Sequence, residues 1–158
     1  MNNMQHLLTK EDLSVYYFLK DLFSSTNMVN VIKSFPDSKV GIKLPIIAVE
    51  HDRLTGAKFE MGSRISQLTR DYIIDIFAMT ETQRDEISYK IVEELDSTIP
   101  VYDYDEGFPP DVSPSLIGGL EVLSFNMDVI RISPELLDEN ESMYYRAVVT
   151  FTAERNTR

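Results

Sequence analysis

The stretch Leu68-Thr69-Arg70-Asp71-Tyr72-Ile73-Ile74-Asp75-Ile76-Phe77-Ala78-Met79 alternates with a period of two, the signature of a long β-strand running from about Arg64 to Met79. Leu68, Arg70, Tyr72, Ile74, Ile76 and Ala78 share one face; Thr69, Asp71, Ile73, Asp75, Phe77 and Met79 share the other. The first set is the more uniformly apolar and is expected to face a helix layer. The second carries two aspartates among apolar residues, as a partly wet or intersubunit face does.

Directly after this strand, Thr80-Glu81-Thr82-Gln83 has the capping-box pattern. It opens a helix with Ile87, Ile91, Val92 and Leu95 on one stripe, and Glu86–Lys90 as a favourable i,i+4 pair. Before the strand, Pro45 to Glu50 and Ala57 to Met61 read as two strands joined by a turn at Arg53-Leu54-Thr55-Gly56. Val29, Val31 and Phe35 fit a short strand. Thr9 is placed as the cap of an amino-terminal helix ending near Ser24, with Leu13, Tyr16, Tyr17, Leu19, Leu22 and Phe23 as its apolar positions.

Downstream, residues 100–118 hold four of the seven prolines and read as a long loop, of the kind that is functional or ordered by a partner. Gly118-Gly119 opens a strand to about Ile132. Ser133-Pro134 starts a helical turn, and Met143 to Glu154 alternates as a final strand. The expected fold is α+β: a single domain at 9–154 with a mixed or antiparallel sheet, two main helices packed on one face and long projecting loops. Residues 1–8 are expected as a flexible arm and 155–158 as a frayed tail.

The chain has 158 residues, 43% of them hydrophobic and 26% charged, which suits one globular domain. It contains no cysteine, so disulfides, thiolate catalysis and cysteine-held metals are excluded. A net charge of −11 disfavours specific nucleic-acid binding and membrane-surface binding. No apolar run spans a bilayer, and the first residues lack a secretory pattern.

No phosphate loop, nucleophile elbow or zinc-protease motif is present, and no catalytic, cofactor-binding or metal residue is assigned. His6 and His51 are the only histidines; Glu50-His51-Asp52 reads as solvated turn residues rather than a carboxylate–imidazole pair. Asp103-Tyr104-Asp105-Glu106-Gly107 fails the calcium-loop spacing, because the sixth and twelfth positions hold Phe108 and Pro114. A small enzyme using Asp71, Asp75 and Asp103 requires those acids to converge in a pocket with perturbed pKa values.

Four segments resemble small tailed-phage structural proteins, the tail terminators and neck (head–tail joining) proteins. They are Leu44 to His51, Arg70 to Ala78, Ile99 to Tyr104 with Gly107 to Pro110, and Tyr144 to Ala147. The resemblance implies a virion protein, assembled in the host cytoplasm, that forms a homohexameric ring on the end of the tail tube. Such a ring stops tube growth and docks the neck or head-completion proteins. It implies as partners the chain itself, the tail tube protein and a neck protein, with DNA passing through the ring, and neither cofactor nor catalytic residues.

Candidate interface residues are Tyr102, Tyr104, Phe108, Pro109 and Pro110 in the proline-rich loop and Arg53, Leu54 and Arg64 in the hairpin region. Glu135, Asp138, Glu139 and Glu141 are candidates for an acidic lumen or rim that keeps DNA from sticking. The alternatives are another neck or connector ring protein and an acidic adaptor or DNA mimic.

Overall fold

In a computed structural model, residues 3–25, 29–33, 43–58, 66–130 and 145–156 are described. The strand that decided the sequence reading is β3 (Ser66–Ala78), and it lies in the middle of the sheet. It pairs on one side with β2 (Ile46–Lys58) and on the other with β6 (Tyr145–Asn156), both antiparallel. β1 (Asn30–Lys33) runs parallel to β2. β4 (Thr98–Asp103) and β5 (Ser115–Ile130) form a hairpin whose second strand joins β6. The six strands lie in the order β1-β2-β3-β6-β5-β4, an α+β domain with one mixed sheet.

The two faces of β3 separate as the alternation requires. Arg70, Tyr72, Ile74, Ile76 and Ala78 are buried. Tyr72, Ile74 and Ile76 join Val49, Ala147, Val149, Phe151 and Leu120 in the core beneath both helices. α2 (Glu81–Glu94) follows β3 directly and adds Ile87, Ile91 and Leu95 to that core. The opposite face is not uniformly wet: Asp75 and Phe77 are buried too, with Asp75 accepting a 2.5 Å bond from Arg146. The expected Glu86–Lys90 pair is replaced by a packing contact, with Lys90 Nζ lying 5.2 Å from the centre of the Phe23 ring.

α1 (Asn3–Leu22) differs from expectation at its start. Residues 3–8 are its first turns and not a loose arm, because Arg70 Nη1 donates to the Leu8 carbonyl and ties the helix to β3. Its inward stripe is Glu11, Val15 and Leu19, with Ser14 beside it and buried Phe23 just past its end. A helix of this length spans about 30 Å and a six-stranded sheet about 24 Å, so α1 reaches both edges. It contacts β1 and β2 on one side and β4 on the other.

Three further expectations are corrected. Arg53-Leu54-Thr55-Gly56 is not a turn: β2 is one continuous strand, paired with β3 from Ile46↔Phe77 to Lys58↔Ser66. A bulge at Asp52, between His51 and Arg53, absorbs the local irregularity. The irregular loop is also shorter than 100–118, since residues 98–103 form β4, residues 115–118 already belong to β5, and only 104–114 lie between. Arg155 and Asn156, expected to fray, belong to β6. The helical turn from Ser133 lies outside the described residues.

Candidate assembly surfaces

A buried ionic network fixes α1 to the middle of the sheet. Arg70 Nη1 donates to Glu11 Oε2 at 2.9 Å and Nη2 to Asp12 Oδ1 at 2.6 Å. Tyr72 donates its hydroxyl proton to the same Asp12 oxygen at 2.8 Å, and Arg155 Nε donates to Glu11 Oε1 at 2.6 Å. Burial, followed by the nearby carboxylates, pushes the Tyr72 phenol well above its ordinary value, so it serves as a hydrogen-bond donor. Each carboxylate here is held by an arginine, which makes the cluster a structural lock.

Beside it, a cavity of about 550 Å³ between α1 and β2 is lined by Asp12, Tyr16, Lys33, Glu50, His51 and Tyr72. His51 is exposed, with Nδ1 3.8 Å from Asp12 Oδ2. The acids named for a hypothetical enzyme do not converge. Asp75 is paired with Arg146, Asp71 accepts from Thr152 Oγ1 at 2.7 Å, and Asp103 lies across the sheet beside α1.

The proline-rich segment turns inward. Tyr104 is buried and stacks on Tyr17 at 5.3 Å between ring centres, with Phe108 stacked on Tyr104 at 5.9 Å. Lys10 bridges Asp103 at 3.0 Å and Asp105 at 2.9 Å, so the two carboxylates are held by an ammonium of α1. The Asp105 backbone N–H, then Lys10, hold the Asp103 carboxyl below the usual carboxylate range. Gly107 has φ +139°, and a Cβ there would meet Val112 Cγ2 at 2.7 Å.

Of the residues placed at a candidate interface, Tyr104 is therefore occupied within its own subunit. Tyr102, Pro109 and Pro110 line a cavity of about 490 Å³ against Tyr17 and Phe18 of α1. Phe108 keeps 49% of its surface exposed. Arg53 and Leu54 are exposed on β2. Arg64, Glu135, Asp138, Glu139 and Glu141 lie outside the described residues.

Sequence reasoning missed the most exposed apolar strand. Leu116, Ile117, Leu123, Phe125 and Val129 are all exposed and all belong to β5. β4 covers β5 only from Ser115 to Glu121, so from Val122 to Ile130 that edge has no strand partner among the described residues. The dense apolar run from Val122 to Ile130 was the available signal, because a strand that is apolar on an uncovered side reads as a contact strand.

No protein-family model matches the chain, and no curated protein matches it. Among solved structures, a chain in the virion of a native gene transfer agent particle is similar to this one. The match covers 92% of this chain and 89% of that chain at 13% identity, with a TM-score of 0.44.

Proposed function

We propose that this protein is a structural virion component that forms a ring at the end of a phage tail tube, ends tube growth and presents a docking face to neck proteins. The observation that carries the reading is where the exposed large apolar side chains fall. Among the described residues five are on β5, Leu54 is on β2, Phe108 is on the turn after β4, Met79 follows β3 and Tyr89 is on α2. Surfaces of this kind mark protein contacts. They lie on more than one side of the sheet, as a head-to-tail ring requires of its two complementary patches. The choice of tail tube and neck as partners rests on the resemblance of the segments at 44–51, 70–78, 99–104 with 107–110, and 144–147 to tail terminator and neck proteins.

The test is the mass of the purified protein by light scattering, followed by negative-stain imaging with and without tail tubes. Closed rings in solution, or rings that appear only on tube ends, are expected. A monomer indifferent to tubes would overturn the reading. Rings that bind portal or head-completion proteins and ignore tubes would move the protein to another neck position.

A further inference from the structure

The cavity of about 490 Å³ beside α1 brings together two helix C-termini and the segment after β4. α1 contributes Tyr17 and Phe18, β4 contributes Pro100 and Tyr102, and the following segment contributes Pro109 and Pro110. Pro110 is exposed and the others are half-buried, so aromatic and proline rings face the cavity. Its volume is that of a site for a small ligand or a few residues of peptide.

The charged groups around it are of one sign. Asp21 in the last turn of α1 and Glu94 at the end of α2 line the cavity, and no basic side chain does so among the described residues. Both carboxylates are exposed, and neither has a hydrogen bond or ion pair among the described residues. An acid at a helix C-terminus is unfavourable, because the last carbonyls already carry partial negative charge. Hydroxyls rather than cations meet those carbonyls: Ser24 Oγ donates to the Asp21 carbonyl and Ser97 Oγ to the Glu94 carbonyl, each at 2.8 Å. The lysines of the two helices are engaged elsewhere. Lys10 holds Asp103 and Asp105, Lys20 lies over the rings of Tyr16 and Tyr17, and Lys90 lies over Phe23.

The groove is built in advance. Tyr104 stacked on Tyr17 holds the segment after β4 against α1. Within that segment the Gly107 N–H donates to the Tyr104 carbonyl at 3.2 Å and the Val112 N–H to the Phe108 carbonyl at 3.1 Å. On the strand side, the Tyr102 N–H donates to Ser14 Oγ of α1 at 3.1 Å. Walls fixed in this way lose little freedom when a partner docks.

We propose that this groove binds an arginine carried on an extended, proline-containing segment of a partner protein. Prolines of such a segment lie on the rings of Tyr17 and Tyr102, as proline-rich peptides do in aromatic-lined grooves. The guanidinium meets the Asp21 and Glu94 carboxylates and offsets the negative charge at both helix ends. Arginine suits the site better than lysine, because its planar group also stacks on a tyrosine ring. The net charge of −11 draws a basic segment in from a distance. The groove lies within one subunit, so the proposal does not depend on ring formation.

The test uses a set of short, dye-labelled proline-rich peptides, each with a single arginine at a different position, titrated with the full chain and read by fluorescence anisotropy. At least one is expected to bind saturably and more weakly as salt rises, with its arginine-to-glutamine counterpart at least about tenfold weaker. Asp21→Asn with Glu94→Gln is expected to weaken binding at least about tenfold while melting no lower than wild type, since it removes acids from helix C-termini. Glu93→Gln with Asp96→Asn removes the same charge from exposed positions outside the cavity and is expected to leave binding unchanged.

Failure of every peptide to bind at millimolar concentration would overturn the proposal. So would binding that the Asp21 and Glu94 variant retains, or that the glutamine peptide matches. Equal loss in both double variants would reduce the attraction to net charge and overturn the site. Nuclear magnetic resonance signals of Tyr17 and Tyr102 that shift with protein concentration alone would make a second copy the occupant and overturn the choice of partner.

Discussion

Glu11 sits at the junction of the fold. One carboxylate oxygen takes a bond from Arg70 and the other from Arg155, and the side chain is buried. Replacing Arg70 by Met leaves Glu11 and Asp12 short of a cation in a low-dielectric site, and breaking a buried pair in this way costs about 3–5 kcal/mol. Urea unfolding of R70M is expected to show that loss. Gly107 makes a second residue-scale case. Its φ of +139° and the 2.7 Å approach to Val112 leave no room for a methyl group, so Gly107→Ala is expected to lower stability by about 1–3 kcal/mol. The loss is read from the shift in the denaturation midpoint. Neither position stands out in the sequence. Glu11 reads there as a first-turn residue behind a Thr9 cap, because nothing local says that two arginines from distant strands will close on it.

Among the elements, β3 and α2 are the most legible. The alternation of β3 sorts its faces correctly on the helix side, and the capping box of α2 forms with one change. Thr80 Oγ1 accepts from the Gln83 backbone N–H, while Gln83 Oε1 accepts from the Met79 backbone N–H, one residue further back than the motif describes. Thr80→Ala is expected to cost about 1 kcal/mol in thermal or urea unfolding. The β2 strand was hidden because Arg53 to Gly56 has turn composition; it stays extended because β3 supplies a partner along its whole length. The inward fold of residues 104–114 was hidden because it depends on ring stacking against α1, a tertiary contact. Lys10 is the polar link of that contact, and its pKa is raised by the hydrogen bonds to Asp105 and Asp103. The stabilisation from a raised lysine is complete below its unfolded value of 10.5 and is lost as pH climbs through the folded value. The stabilisation from the lowered Asp103 is complete above 3.8 and is lost as pH falls through its folded value. The stability difference between wild type and Lys10→Met is therefore expected to be flat between those limits and to shrink beyond both, as pH-dependent unfolding will show.

At the scale of the whole molecule, the exposed apolar rim of β5 predicts a change on assembly. Under the ring reading proposed above, backbone amides between Val122 and Ile130 are expected to exchange with solvent faster in a monomer than in a ring, as hydrogen–deuterium exchange resolves, while the core amides of β3 stay slow in both. The acidic composition carries no sign of the exposed apolar stretch of β5, because that exposure depends on where β4 stops along β5. The strand order has a consequence for how the protein is made. β6, the last strand along the sequence, lies between β3 and β5 and is the sole strand joining the β1–β3 half of the sheet to the β4–β5 half. A nascent chain that has not yet delivered Tyr145 onward has two unconnected half-sheets and lacks Arg155 for Glu11. Non-local closure of this sort is slow. Translation thus acts as a checkpoint: a copy that ends before Tyr145 has no continuous sheet and lacks the strand on which both halves of the core close.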